Sequence, residues 1–237
     1  MKKFILLLCF LIFTAEISAQ EHSRFFDLAD DFFQQYTHNG QVKYAEIQQN
    51  PKALNELLAV AKKTRIPLEN EAEFKAFWIN AYNLATINGI VQEYPVASPM
   101  EIEGFFDKRV HSLGGKSLTL DEVEHEVLFG NFPEEARFHF VLVCAAKGCP
   151  PLLSRAYLPE TLEQQLQSQT EKALNDPSFV RVQGDRVLFS EIMKWYKDDF
   201  TRGGGSLIEY VNQFRKTPVP AGREVGFFEY DWGLNGG

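Results

Sequence analysis

Cys144-Ala-Ala-Lys-Gly-Cys149 holds the residues of this chain whose types and spacing most plainly allow chemistry. The two thiols follow the apolar run Phe138-His-Phe-Val-Leu-Val143 and precede Pro150-Pro151. A thiol becomes a nucleophile when an imidazole makes its thiolate, a third group fixes the ring and donors meet the developing oxyanion. The chain supplies each part: Cys149 or Cys144 as nucleophile, His111 or His139 as base, and Asn80 or Asn83 as orienting amide. Glu124 is a further candidate acid or base. Its neighbour His125 points about 100° away on a helix, so the two do not serve one atom together. A Cys144–Cys149 disulfide is the competing reading, and closing so small a ring contributes roughly 2 kcal/mol. Zinc is poorly served: Cys-x4-Cys lies at the edge of known spacings, no fourth ligand is evident and no His-Glu-x-x-His pattern occurs. No metal or cofactor is therefore assigned.

The elements around these residues decide which of them meet. Phe138 to Val143 has the aromatic and β-branched content of a central strand apolar on both faces, ended by Lys147-Gly148. On a regular strand His139 and Cys144 face opposite sides, which favours His111 as the thiol's partner. Cys149, restricted to extended conformations by Pro150, belongs to the loop, and Cys144 is the thiol expected to be buried. Upstream, Asn70-Glu-Ala-Glu73 resembles a capping box opening a helix from Phe74 to Val91 that is apolar nearly all round. Asn80 and Asn83 interrupt it. Buried amides must find partners, either neighbouring backbone or a group in a site.

Helical spacing runs from Glu21 to Tyr36, and Asn50-Pro51 starts a second helix through Ala61. Val42 and Tyr44 suggest a short extended piece. Phe105 to Leu113 reads as extended, reaching Gly114-Gly115, and Thr119-Leu-Asp-Glu122 caps the short helix of Glu124. Pro159 leads into a helix to Leu174, and Phe179 to Phe189 forms a hairpin about Gly184-Asp185. Ser190 caps a helix through Phe200, and another begins near Ser206. The aromatic tail Phe227 to Asn235 should dock on the body rather than hang in water. These elements make a single α+β domain over residues 20–237, with several helices packed around a small, mostly antiparallel sheet.

Met1-Lys-Lys, the apolar run Phe4 to Phe13 and Ile17-Ser-Ala-Gln20 form a signal-peptide pattern over residues 1–19, with cleavage after Ala19. The run is too short to span a membrane, and no later stretch does so, so a periplasmic or secreted protein is expected. Removing Lys2, Lys3 and Glu16 takes the formal charge from −8 to −9. That acidic balance, with no Lys/Arg cluster, argues against nucleic acid as partner. A small molecule or peptide is the expected substrate. In an oxidising compartment two cysteines are suspected of pairing first.

Five blocks carry a resemblance: Phe77-Trp-Ile-Asn-Ala-Tyr-Asn83; His111 with Leu118-Thr-Leu-Asp-Glu-Val-Glu-His125; Arg137 to Cys144 with Cys149-Pro-Pro-Leu152; Trp195-Tyr-Lys-Asp-Asp-Phe200; and Tyr230-Asp-Trp-Gly-Leu-Asn235. Together, in this order, they resemble the domain-of-unknown-function family 547. The resemblance implies a shared domain and site without naming a reaction. Phe129 stands where an arginine is expected and Gly233 where a serine is usual. Two readings follow: an exported thiol hydrolase or acyl transferase, and a non-catalytic peptide- or envelope-binding module in which Tyr82, Trp195 and Trp232 make contact and the disulfide is structural.

Overall fold

A helix with no polar stripe has to sit where every side of it meets protein. The computed structural model describes residues 22–237, and that helix, α4 (Glu71–Glu93), occupies the middle of it with every side chain from Ala76 to Ile87 buried. Each of its large apolar side chains contributes roughly 1.5–3 kcal/mol by leaving water. The expected signal segment, residues 1–19, lies outside the described residues, as does Glu21 at the start of the first helix.

Helix α1 covers residues 22–36 and turns Phe25, Phe32, Phe33 and Tyr36 into the core. A two-residue hairpin follows, β1 (Thr37–His38) and β2 (Gln41–Val42), turned by Asn39 and Gly40 at positive φ. Tyr44 is not extended: it opens α2 (Tyr44–Gln49), and its hydroxyl donates to Asn235 of the tail at 2.7 Å. Helix α3 (Lys52–Ala61) and the hairpin β3 (His111–Leu113) and β4 (Lys116–Leu118) pack together, with Gly114-Gly115 at its tip, both at positive φ. Only those last three residues of the stretch from Phe105 form a strand; residues 103–108 are turns.

Thr119 and Glu122 make the expected reciprocal cap, each backbone N–H donating to the other's side chain at 2.7 and 3.1 Å. What they open is π-helical, Glu122–Leu128, with the N–H of Phe129 donating to the carbonyl of Glu124. At Asn70 the cap is different. Its amide donates to Glu73 instead of accepting from the helix.

The chain continues through α5 (Leu162–Asn175), β5 (Val180–Gln183), β6 (Arg186–Ser190), α6 (Ile192–Trp195), α7 (Lys197–Phe200), α8 (Leu207–Asn212) and β7 (Glu224–Phe228). Strand β6 pairs antiparallel with β5 and parallel with β7. Among the described residues the architecture is thus α+β, with three small sheets of two or three strands whose ladders are antiparallel except β6–β7. No helix among the described residues is long and apolar enough to cross a membrane.

The expected central strand is absent. Ala136–Phe140 is a 3-10 helix, and residues 141–145 run irregularly beneath α4. A buried backbone outside a sheet still needs partners for its N–H and C=O groups. Asn83 supplies them, donating to the Val141 carbonyl at 3.0 Å and accepting from the Val143 N–H at 2.9 Å. Asn80 brackets Tyr157 in the same way, at 2.7 and 2.9 Å. One amide at each place does the work of a neighbouring strand.

Candidate functional site

The consequence of losing the strand is that His139 and Cys144 are not held on opposite faces. Both line one cavity of about 440 Å³, together with Cys149 and Glu124. His111 does not reach it. The expectation that His111 rather than His139 stands with the thiols is therefore reversed, because the alternation it relied on requires a regular strand.

One wall is carboxylate and imidazole. The π-turn carries Glu124 toward α4, where the Tyr82 hydroxyl donates to its Oε2 at 3.4 Å. Such turns add one residue to a helical turn and recur at functional sites. His139 lies with Nδ1 4.0 Å from Glu124 Oε1 and Nε2 2.9 Å from Asp199 Oδ2. Its ring is sandwiched between Tyr196, centroids 4.1 Å apart, and Phe129, 4.7 Å apart. Phe129 is the residue found where the family resemblance leads one to expect arginine. Burial pushes the Glu124 carboxyl above the usual carboxylate range, with His139 and His125 opposing that shift. The His139 hydrogen bond, against partial burial, holds Asp199 below it. Burial raises Tyr82 and Tyr196, so their phenols remain hydrogen-bond donors.

The same cavity is also lined by sulfur. Cys144 and Cys149 form a disulfide. Cys149 is the buried one and Cys144 is half-exposed, contrary to the sequence expectation, since residues 145–149 turn Cys149 back under the loop. Its Sγ accepts from the Cys144 N–H at 2.9 Å and the Tyr230 hydroxyl at 3.1 Å, while Tyr230 also lies 3.0 Å from the Cys144 sulfur. Ala145, between them, has φ +63°, a left-handed conformation that costs a residue bearing a Cβ.

The tail holds this loop. Lys147 and Gly148 donate to the carbonyls of Gly233 and Asp231, and Asn235 donates to that of Ala145, at 2.7–2.9 Å. Gly148 is required here, because a Cβ would stand 2.7 Å from the Tyr230 ring. Tail and loop together bring Tyr230 and Trp232 to the cavity.

Of the residues singled out from the sequence, the fold brings Cys144, Cys149, His139 and Glu124 together, whereas Asn80 and Asn83 spend their amides on backbone and His111 lies elsewhere. Asp199, Tyr196 and Tyr230 were not singled out. Their only signal was membership of the Trp195–Phe200 and Tyr230–Asn235 blocks. Among the described residues no three His, Cys, Asp or Glu side chains converge as metal ligands.

Fold and cavity together define an α+β domain in which a cysteine pair and a carboxylate-held histidine line one cavity. Residues 68–173 match the model of the family described as "Protein of unknown function, DUF547", so the resemblance carried by the sequence blocks is met over that span. The match takes in α4, the π-turn, both cysteines and most of α5; the blocks that supply Asp199 and Tyr230 lie beyond it. No curated protein and no solved structure matches the chain.

Proposed function

We propose that this domain is a thiol-dependent hydrolase or acyl transferase acting on an amide, ester or thioester, and that it is active as the reduced dithiol. The observation that carries this reading is the convergence, in one cavity, of Cys149 with two hydrogen-bond donors at its sulfur and of Glu124 beside His139, whose other ring nitrogen is held by Asp199. Once the disulfide is reduced by a dithiol, the Cys144 N–H and Tyr230 hydroxyl favour the Cys149 thiolate. That thiolate adds to the substrate carbonyl. Glu124, kept protonated by burial, gives its proton to the departing amine, alcohol or thiol, leaving an acyl-thioester. Water, or an acceptor nucleophile, then attacks the thioester as the Glu124 carboxylate takes its proton, and the thiolate is released. His139, itself held by Asp199, orients Glu124 and stabilises it when charged.

The test is intact mass spectrometry after incubating reduced protein with a panel of activated esters and thioesters. An acyl adduct is expected on Cys149, absent from the oxidised protein and from Cys149→Ser, with slowed turnover in Glu124→Gln. Unchanged turnover by a Cys149→Ala variant would falsify the proposal, and so does the lack of any adduct across the panel.

The disulfide itself favours a second reading, in which both sulfurs are structural and the cavity only binds, with Tyr82, Trp195 and Trp232 as contacts. Binding that is indifferent to reduction and to Cys149→Ser, with no acyl adduct, selects it. Export is part of the proposal: residues 1–19 direct secretion, and the N-terminal sequence of protein recovered outside the cytoplasm should begin at Gln20.

A further inference from the structure

Charge and ring content of the cavity are one-sided. Three carboxylates line it at increasing depth: Asp107 exposed, Asp121 half-buried, Glu124 buried. Among the described residues no lysine or arginine lines it. The one basic side chain on its wall, His139, has both ring nitrogens turned to carboxylates, so neither offers a site to an anion. The mouth is aromatic. Trp195 and Trp232 stack with centroids 5.8 Å apart and planes 21° apart, and Tyr230 lies edge-on to Trp232 at 4.7 Å. Trp195 is 46% exposed, an unusual position for so large an apolar side chain unless something covers it.

We propose that the cavity selects a cationic ligand, with a primary or quaternary ammonium group seated against Trp195, Trp232 and Tyr230 and facing the more exposed carboxylates Asp107 and Asp121. Ring faces attract a cation through their quadrupole, and the attraction grows as water is excluded. Asp107 and Asp121 in the same lining supply counter-charge, and the formal charge of −8 on the whole chain favours approach of cations over anions. The proposal rests on the same cavity as the thiol chemistry and names the class of substrate that chemistry would act on: an acyl compound bearing an ammonium group.

Three water-soluble probes of one shape separate the contributions: choline, its neutral carbon isostere 3,3-dimethylbutan-1-ol, and the anion 3,3-dimethylbutyrate. Binding is read by tryptophan fluorescence and ligand-observed NMR on the unmodified protein, which requires no turnover. Choline is expected to bind about tenfold more tightly than the neutral isostere, with no binding of the anion. Trp195→Ala, a change at an exposed position, and Asp121→Asn should each weaken choline by about fivefold or more. Equal affinity for the neutral isostere, binding of the anion, no choline binding, or affinity unchanged in both variants overturns the proposal. Choline selectivity without any acyl adduct leaves this inference standing and removes the thiol chemistry. Equal acylation by cationic, neutral and anionic esters, with no choline selectivity, does the reverse.

Discussion

Two histidines are buried in this domain, and the fold treats them oppositely. His139 has a carboxylate at each ring nitrogen and an aromatic ring on each face. His111, on β3, has an Nε2 with no hydrogen-bond partner, and burial, helped by nearby Arg109, lowers it to about 4. The contrast teaches that burial alone says little about an imidazole. The partners decide how it is held, and of the two only His139 lines the cavity that the cysteines line.

The largest effect that sharpens this contrast should come from His139→Ala. The change leaves Glu124 and Asp199 without the ring between them and opens a void between Phe129 and Tyr196. Urea unfolding at neutral pH should show a loss of roughly 3–5 kcal/mol, and any cysteine-dependent turnover should fall by about 100-fold or more.

His111 should show itself through acid. Its folded pKa lies below its unfolded value, so the unfolded chain binds the proton more readily. Its contribution is present in full above the unfolded value near 6.5 and is lost as pH falls through the folded value of about 4. Glu124 shifts upward and acts in the opposite sense: its contribution is present at low pH and is lost as pH rises through its elevated folded value. The difference between variants therefore isolates the histidine better than a single curve. Between pH 7 and 4, wild type should lose roughly 3 kcal/mol relative to His111→Leu in urea unfolding. Parallel curves for the two proteins would break the comparison.

Asp199→Asn keeps a group near His139 Nε2 but removes its charge, and a cost of about 1–2 kcal/mol is expected in the same assay, since hydrogen bonds to charged groups are the stronger kind. Phe129→Leu is the mildest change. It removes one ring from the sandwich and should cost about 1 kcal/mol in thermal unfolding, with little change in thiol labelling. A larger effect on labelling than on stability would make Phe129 a determinant of the site rather than a support for it.

Helices were legible where periodicity and caps agree. The all-round apolar pattern placed α4 at the centre, the Thr119–Glu122 pair marked the start of the segment carrying Glu124, and the two-residue turn at Gly184-Asp185 gave β5 and β6. Phe138–Val143 misled because length and composition measure burial, and a buried run needs hydrogen-bond partners without specifying a strand as their source. Here a side-chain amide near the middle of α4 is the source. The thiols, His139 and Glu124 were visible as candidates from their types. Asp199 and Tyr230, 60 and 81 residues from the groups they bond, carried no local signal.

By itself the sequence determined the class of domain, its central helix, the acidic balance and the small set of residues able to do chemistry, because those follow from composition, spacing and local backbone preference. Only the tertiary structure decided which histidine meets the cysteines and what surrounds it. That pairing depends on Asn83 satisfying a distant backbone, on a π-turn aiming Glu124 and on the tail clamping the cysteine loop. The first and last of these are long-range hydrogen bonds, and no window of neighbouring residues contains both partners.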